Sequence, residues 1–280
     1  MKTTAELAAE QAAYWNGPGG EGWLAAYERI QRAIGEIGEL ALSAAAARAG
    51  EQVLDIGCGT GSTTAALARA VGPHGQVLGV DISEPLVAAA RAQRLDNASF
   101  AVGDAAAHPF PDRHYDLVFS RFGVMFFADP VAAFRNIHRA LKSGGRLVFV
   151  AWRTAQENPW GTTPVRAAQP FLPPQPRPGP EDPGQFSFGD RARVERILTQ
   201  AGFAALRLEP VDRLIWMGDS VAEVVAGAGR FGPLARAFAG AEPAAIERAK
   251  QAIAEVLAPH ETPDGVRLPG ACWLVEAKAS

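Results

Sequence analysis

The sequence predicts an α/β protein centred on a doubly wound, parallel sheet. Two features point there. Short apolar runs alternate with helical stretches between about residues 50 and 152, the pattern of strands joined by crossover helices. The runs also end on a glycine turn, Asp81, Asp104 and Ser120, and such a sheet binds its ligand at the carboxyl ends of its strands.

The elements follow in order. Leu24, Tyr27, Ile30, Ile34, Ile37, Leu40 and Leu42 recur near the helical period and predict a helix over 24–49. VLDIG (53–57) is a short buried strand and STTAALARAV (62–71) the helix after it. QVLGVDIS (76–83) is a second strand, and EPLVAAARAQ (84–93) a helix with Pro85 in its first turn. SFAVGDA (99–105) and YDLVFS (115–120) are further strands. ADPVAAFRNIHRAL (128–141) is a helix ended by SGG, before the strand RLVFVAW (146–152). Nine of the 21 prolines then fall between 159 and 183, which predicts an irregular loop. A helix over 191–200, a strand over 206–217, a helical insertion over 219–258 and a terminal strand over 271–279 complete the chain.

Composition narrows the function. A chain of 280 residues, 48% of them apolar, can bury a full core. A net charge of −3 without a basic run gives no footprint for nucleic acid. The two cysteines, Cys58 and Cys272, make a disulfide framework improbable and fit a reducing cytosol. The first fifteen residues lack an apolar h-region, and no uncharged apolar run is of membrane-spanning length. The expectation is a soluble, cytoplasmic protein with no membrane partner. The histidines and cysteines lack metal-ligand spacing, so no metal is expected.

The stretch VLDIGCGTG (53–61) carries the chemistry. Its glycines are Gly57, Gly59 and Gly61, and Ser62 stands where a dinucleotide fingerprint would place its third glycine. Asp55 precedes the turn. A carboxylate there repels a pyrophosphate and favours a cation, so the expected ligand is a nucleoside with positive charge and no phosphate. S-adenosylmethionine has that character. Asp81 can accept both ribose hydroxyls and Asp104 the adenine amine.

D-I-G-C-G-T-G, V-D-I-S, G-D-A and L-K-S-G-G, in this order over about 50–152, resemble the class I S-adenosylmethionine-dependent methyltransferases. GDAAAHPFPDRHYDLV is similar to the ubiquinone/menaquinone-biosynthesis methyltransferase-type group. The resemblance implies a Rossmann-like seven-stranded sheet, mostly parallel with an antiparallel last strand, plus the helical insertion between the last two strands. It implies a helical cover over 1–49 and a methyltransferase domain over 50–280, including a Pro-rich loop (153–190) and the insertion (219–258), as one folded unit. Trp15 and Trp23 would shield the cofactor, and Gly57, Cys58, Gly59 and Gly61 approach its methionine portion with Asp55 near the ammonium. Asp81 would take the ribose, Ile82, Asp104 and Ala105 the adenine, and Ser120 and Arg121 close the pocket. His108 and Asn136 depart from the group's usual residues, which leaves the substrate open.

Ordinary structural roles compete at several of these positions: an N-cap at Asp81, a solvated turn at Asp104, core packing for the tryptophans. His108 is a candidate general base, though its loop should lie near adenine, and Arg121 a candidate for holding an anionic acceptor or forming an ion pair. Phe126, Trp152 and Trp160 are candidates to face the acceptor. The insertion either completes a cover or makes a homodimer contact. The implied activity is methyl transfer to a small-molecule acceptor by in-line displacement, mainly through positioning and desolvation. An adenosylmethionine-binding protein without transferase activity and a protein-directed methyltransferase are the alternatives.

Overall fold

A computed structural model describes residues 2–174, 179, 181–230 and 232–280. Three helices come first: α1 (Thr4–Trp15), α2 (Pro18–Ala25) and α3 (Tyr27–Ala45). At the start of α1 the Thr3 hydroxyl accepts from the Glu6 N–H while the Glu6 carboxylate accepts from the Thr3 N–H, a reciprocal cap. On α3, Ile30, Ile34, Ile37, Ala41 and Ala45 form one buried stripe.

The strands are β1 (Gln52–Ile56), β2 (Gln76–Asp81), β3 (Ala98–Val102), β4 (Tyr115–Arg121), β5 (Leu141–Trp152), β6 (Phe203–Gly218), β7 (Glu261–Thr262) and β8 (Gly265–Ala279). Their order is β3-β2-β1-β4-β5-β8-β6, and β7 pairs with β8 beside that path. The first five strands are mutually parallel, and β8 runs antiparallel to both β5 and β6. The expected seven-stranded path is present; β7 adds a two-residue strand that turns straight into β8.

Helices α4 (Ser62–Val71), α5 (Glu84–Arg91) and α6 (Pro130–Ala140) join the parallel strands, α7 (Pro159–Ala168) and α8 (Arg191–Gln200) follow β5, and α9 (Val221–Gly227), α10 (Gly232–Ala239) and α11 (Pro243–Leu257) lie between β6 and β7. The stripe of α3 packs on β5 and β6, α4 on β1 and β2, α5 on β2 and β3, and α6 against α8. The chain moves outward from β1 to β2 and β3, then returns to β4 on the other side of β1. That reversal opens a crevice beyond the carboxyl ends of β1 and β4.

The irregular loop expected over 159–183, within the Pro-rich loop of 153–190, begins with a helix instead. Pro159 sits in the first turn of α7, where an N–H would have no partner, and Pro164 is accommodated inside it. Buried Asn158 fixes its start. The Asn158 amide donates to the Thr154 and Ala271 carbonyls and accepts from the Ala271 N–H and the Trp160 indole. Ala168 of α7, Val221 and Val224 of α9, and Ala249, Ile253 and Leu257 of α11 then share a second small core with Val266 and Leu268 of β8. The Pro-rich stretch and the insertion thus pack together. Among the described residues no helix is long and apolar enough to cross a membrane.

Candidate cofactor site

The glycine turn sits at the crevice. Gly57, Gly59 and Gly61 all have left-handed backbone, with φ of 67°, 55° and 84°. Gly57 also crosses the loop after β4: a Cβ on it would lie 2.7 Å from the Gly123 Cα. Its glycine is therefore required first by the protein's own backbone. The turn leads directly into α4, whose first N–H groups have no helical partner.

Asp55 is fully buried behind the turn. One carboxylate oxygen accepts from the Thr63 hydroxyl at 2.7 Å and the Thr64 hydroxyl at 2.6 Å. The other, Oδ1, is buried with no hydrogen-bond partner among the described residues. Burial pushes the carboxyl up to about 6, against the pull of the two hydroxyls and of Arg121.

Arg121 ends β4 and turns back over the glycines. Its guanidinium donates to the Gln31 side-chain oxygen of α3 at 3.1 Å and to the Ser62 hydroxyl of α4 at 2.9 Å. The Gln31 amide nitrogen is buried and has no partner among the described residues. Trp23, the 57–60 turn, Ser62, Thr63 and Arg121 line a small cleft here.

Asp81 lies next along the sheet edge. One carboxylate oxygen accepts from the Gly59 N–H at 2.8 Å and the other from the Ser83 N–H at 2.9 Å. Each oxygen keeps a lone pair for a further donor. Burial raises this carboxyl too. Asp104 makes a tight turn by accepting from the Ala106 N–H at 2.9 Å. The Asn136 amide ties down the following loop, donating to the carbonyls of buried Ala105 and of His108. An acid at 136 has no such donors, which gives that departure a structural reason.

The N-terminal helices close over this edge. Ser83 donates to the Trp15 carbonyl at 2.7 Å, and the Asn16 side chain bridges the Ile82 carbonyl and the Glu84 N–H. The Trp15 ring stands edge-on to Trp23 and to Phe126. Phe126 thus pairs with the cover, whereas Trp152 is buried, stacked on Phe122 at 4.4 Å and tilted against Trp160 at 4.6 Å. Ser120 is buried and its hydroxyl accepts from the Gly123 N–H. His108 packs on Phe110 beside Gly103, at the β3 end rather than in the glycine cleft. Cys58 lines the cleft, but burial raises its thiol well above the ordinary value.

Sequence reasoning missed Gln31, Asn16 and the paired hydroxyls of Thr63 and Thr64. The Ser-Thr-Thr run after the glycines was a usable signal, because hydroxyls in a first helical turn face the preceding strand end. Gln31 gave none: one polar residue on a helix looks like any solvated position.

Parts of the chain are similar to known proteins. Residues 54–149 match the family described as "Methyltransferase domain". A stretch of 118 residues is 38% identical to the "Ubiquinone/menaquinone biosynthesis C-methyltransferase UbiE" of Shewanella frigidimarina, covering 40% of this chain and 47% of that one. Over 108 residues the identity to the Pseudomonas putida protein of the same name is 43%, covering 37% of this chain and 42% of the relative. The matched region spans less than half the length of these curated relatives. Among solved structures, the YcgJ protein from Bacillus subtilis superposes with a TM-score of 0.56 at 21% identity, over 87% of this chain and 98% of that one. Haemonchus contortus phosphoethanolamine N-methyltransferase 2, solved with phosphomonomethylethanolamine and S-adenosylhomocysteine, gives 0.54 at 20% identity, over 88% of this chain and 53% of that one. Identities at that level show the fold.

Residues 54–149 therefore resemble a methyltransferase domain, carried on a Rossmann-like sheet. Over stretches of 118 and 108 residues the chain resembles the ubiquinone/menaquinone-biosynthesis C-methyltransferases.

Proposed function

We propose that this chain transfers a methyl group from S-adenosylmethionine to a small-molecule acceptor by in-line displacement. One observation carries the reading. Beside the glycine turn stand, among the described residues, an acceptor without a donor, Asp55 Oδ1, and a donor without an acceptor, the Gln31 amide, next to half-buried Arg121. A zwitterionic amino-acid group complements that set. A pyrophosphate does not, because it would set its charge against Asp55.

The cofactor supplies an electrophilic methyl on a sulfonium whose leaving group is neutral. The chain's own work is then to bind, orient and exclude water. Asp55 would face the ammonium, and Asp81 would use its remaining lone pairs for the ribose hydroxyls. Ile82, Asp104 and Ala105 would border the adenine, with Trp15 and Trp23 as cover. The aromatic group of Phe122, Trp152 and Trp160, beside the core shared by α7, α9 and α11, would border the acceptor. His108 is too far along the edge to serve as base in this reading, and no dedicated base is needed for many acceptors. A small-molecule acceptor accords with the C-methyltransferase names of the relatives and with the net charge of −3, which offers nucleic acid nothing. Two buried, unpaired cysteines accord with a cytoplasmic location.

Calorimetric titration with S-adenosylmethionine and S-adenosylhomocysteine tests the reading. Both should bind, and Asp81→Ala should abolish binding while leaving the fold intact. Wild-type protein that binds neither would end the proposal; binding with no methyl transfer to any acceptor in a broad radiolabel screen would reduce it to a cofactor-binding protein.

A further inference from the structure

We propose that a cavity between α3 and the outer ends of β6 and β8 is a binding site for a small organic carboxylate, separate from the cofactor site and independent of the proposed function. The sheet topology places it. Trp152, the last residue of β5, pairs with Cys272 of β8, which pairs in turn with Val211 of β6. Beyond that level β6 and β8 continue without β5, as a two-stranded ribbon reaching the Gly218–Val266 pair. Where α3 meets this ribbon there is a cavity of about 190 Å³, with Ala33 and Ile37 of α3 and Leu214 and Trp216 of β6 as its apolar walls.

Three arginines and one acid, Glu36, supply its charges. Arg32 is already balanced: it pairs with Asp219 at 2.8 Å and lies 3.9 Å over the Trp216 ring. Arg213 and Arg267 are not, for among the described residues neither forms an ion pair. Arg213 donates to the neutral Asp212 carbonyl. Arg267 is half-buried opposite Trp216 in the ladder, and its Nε is buried with no hydrogen-bond partner among the described residues. A buried donor left unmade is costly. An oxyanion in the adjoining cavity would offset that cost, and the planar guanidinium fork suits a carboxylate.

The charge balance selects the ligand. With Arg32 matched by Asp219, Arg213 and Arg267 face Glu36 alone, an excess of one positive charge. A monoanion cancels it, whereas a phosphate dianion overshoots and sets its second charge against Glu36. The volume is that of roughly six waters, room for a carboxylate on a short apolar body. The cavity is also distinct from the cofactor cleft. Gln31 and Gly38, on one helical row of α3, meet Arg121 above the glycine turn. Arg32, Ala33, Glu36 and Ile37, on the opposite flank, line the cavity.

Benzoate, benzamide and phenyl phosphate are the probes, titrated by calorimetry with and without S-adenosylhomocysteine. Benzoate should bind saturably at millimolar concentration or below, whether or not the thioether is present. Benzamide, of the same shape without the charge, should bind about tenfold or more weakly, and phenyl phosphate no more tightly than benzoate. Arg267→Gln should cut the preference for benzoate over benzamide by about tenfold, and the exposed Arg213→Gln by about threefold. Absence of saturable benzoate binding, equal affinity for benzoate and benzamide, displacement of benzoate by S-adenosylhomocysteine, or variants with undiminished preference would overturn the proposal. Tighter binding of phenyl phosphate would overturn the assignment to a carboxylate. Should Arg267→Gln not fold by circular dichroism, the wild-type comparison and Arg213→Gln decide the matter.

Discussion

Replacing Asp55 with Asn separates the cost of burying a carboxylate from its use. In the folded, unliganded chain this carboxyl is pushed up by burial from its ordinary 3.8 to about 6. The folded state therefore holds the proton more tightly than the unfolded one. Its stabilising effect is complete below the unfolded value and is lost as pH rises through about 6. The stability lost between acid solution, below pH 3.8, and neutral pH is about 3 kcal/mol. Urea unfolding of the unliganded protein between pH 4.5 and 7.5 should show this decline in wild type, and Asp55→Asn should flatten it. The Asn oxygen can still accept from the Thr63 and Thr64 hydroxyls, so the variant should fold. Glu51 and Asp116 act in the opposite sense: against the pull of burial, Arg146 and Lys142 hold them below the usual carboxylate range, and their contributions are lost only in more acid solution. Cofactor binding should follow the ionised form of Asp55. A group titrating near 6 is mostly ionised at pH 7 and mostly protonated at pH 5, so affinity for S-adenosylhomocysteine should fall about tenfold across that interval. Asp55→Asn should bind more weakly at pH 7 and lose the pH dependence. Identical pH profiles for wild type and variant, in stability and in binding, would refute the reasoning.

Other substitutions test other parts of the account. Gly57→Ala puts a Cβ 2.7 Å from Gly123 on left-handed backbone; it should destabilise by more than about 1 kcal/mol and abolish cofactor binding, read by thermal unfolding and titration. Asn136→Asp removes two donated hydrogen bonds to the Ala105 and His108 carbonyls; denaturant unfolding should show a loss of about 1–3 kcal/mol, with adenosine-ligand affinity reduced. Asn16→Ala cuts the bridge from the helical cover to Ile82 and Glu84; limited proteolysis should cleave near 16–20 faster, and added S-adenosylhomocysteine should slow that cleavage less than in wild type.

The alternating core was legible because buried parallel strands must be apolar and their connecting helices amphipathic. The helix over 62–71 and that over 191–200 match α4 and α8 residue for residue. Strand β5 begins at Leu141, earlier than expected, since its pairing to Tyr115 resumes across an irregularity that hydrophobicity does not register. Helix α7 was hidden by its prolines: Pro159 stands in the first turn, where a helix tolerates it, but Pro164 stands in the interior, where proline ordinarily argues against a helix. At the site, the glycines and Asp81 could be read because strand ends are marked by backbone-permissive and acidic residues. What one strand pattern cannot reveal is convergence: Gln31 and Arg121 are 90 positions apart, and only the packing of α3 over β4 brings them together. Asp55 was read as facing a cation; the fold sets it behind the turn, with one oxygen committed to threonines and one left over.

The most direct measurement is a paired calorimetric titration of the wild-type chain with S-adenosylhomocysteine and with NAD⁺. An electropositive amino-acid end beside Asp55 should be accepted, and a diphosphate over the same glycines refused, so heat of binding is expected for the first and none for the second up to millimolar concentration. Binding of the dinucleotide, displaced by inorganic pyrophosphate, together with silence toward the adenosyl thioether, would contradict the account at its root.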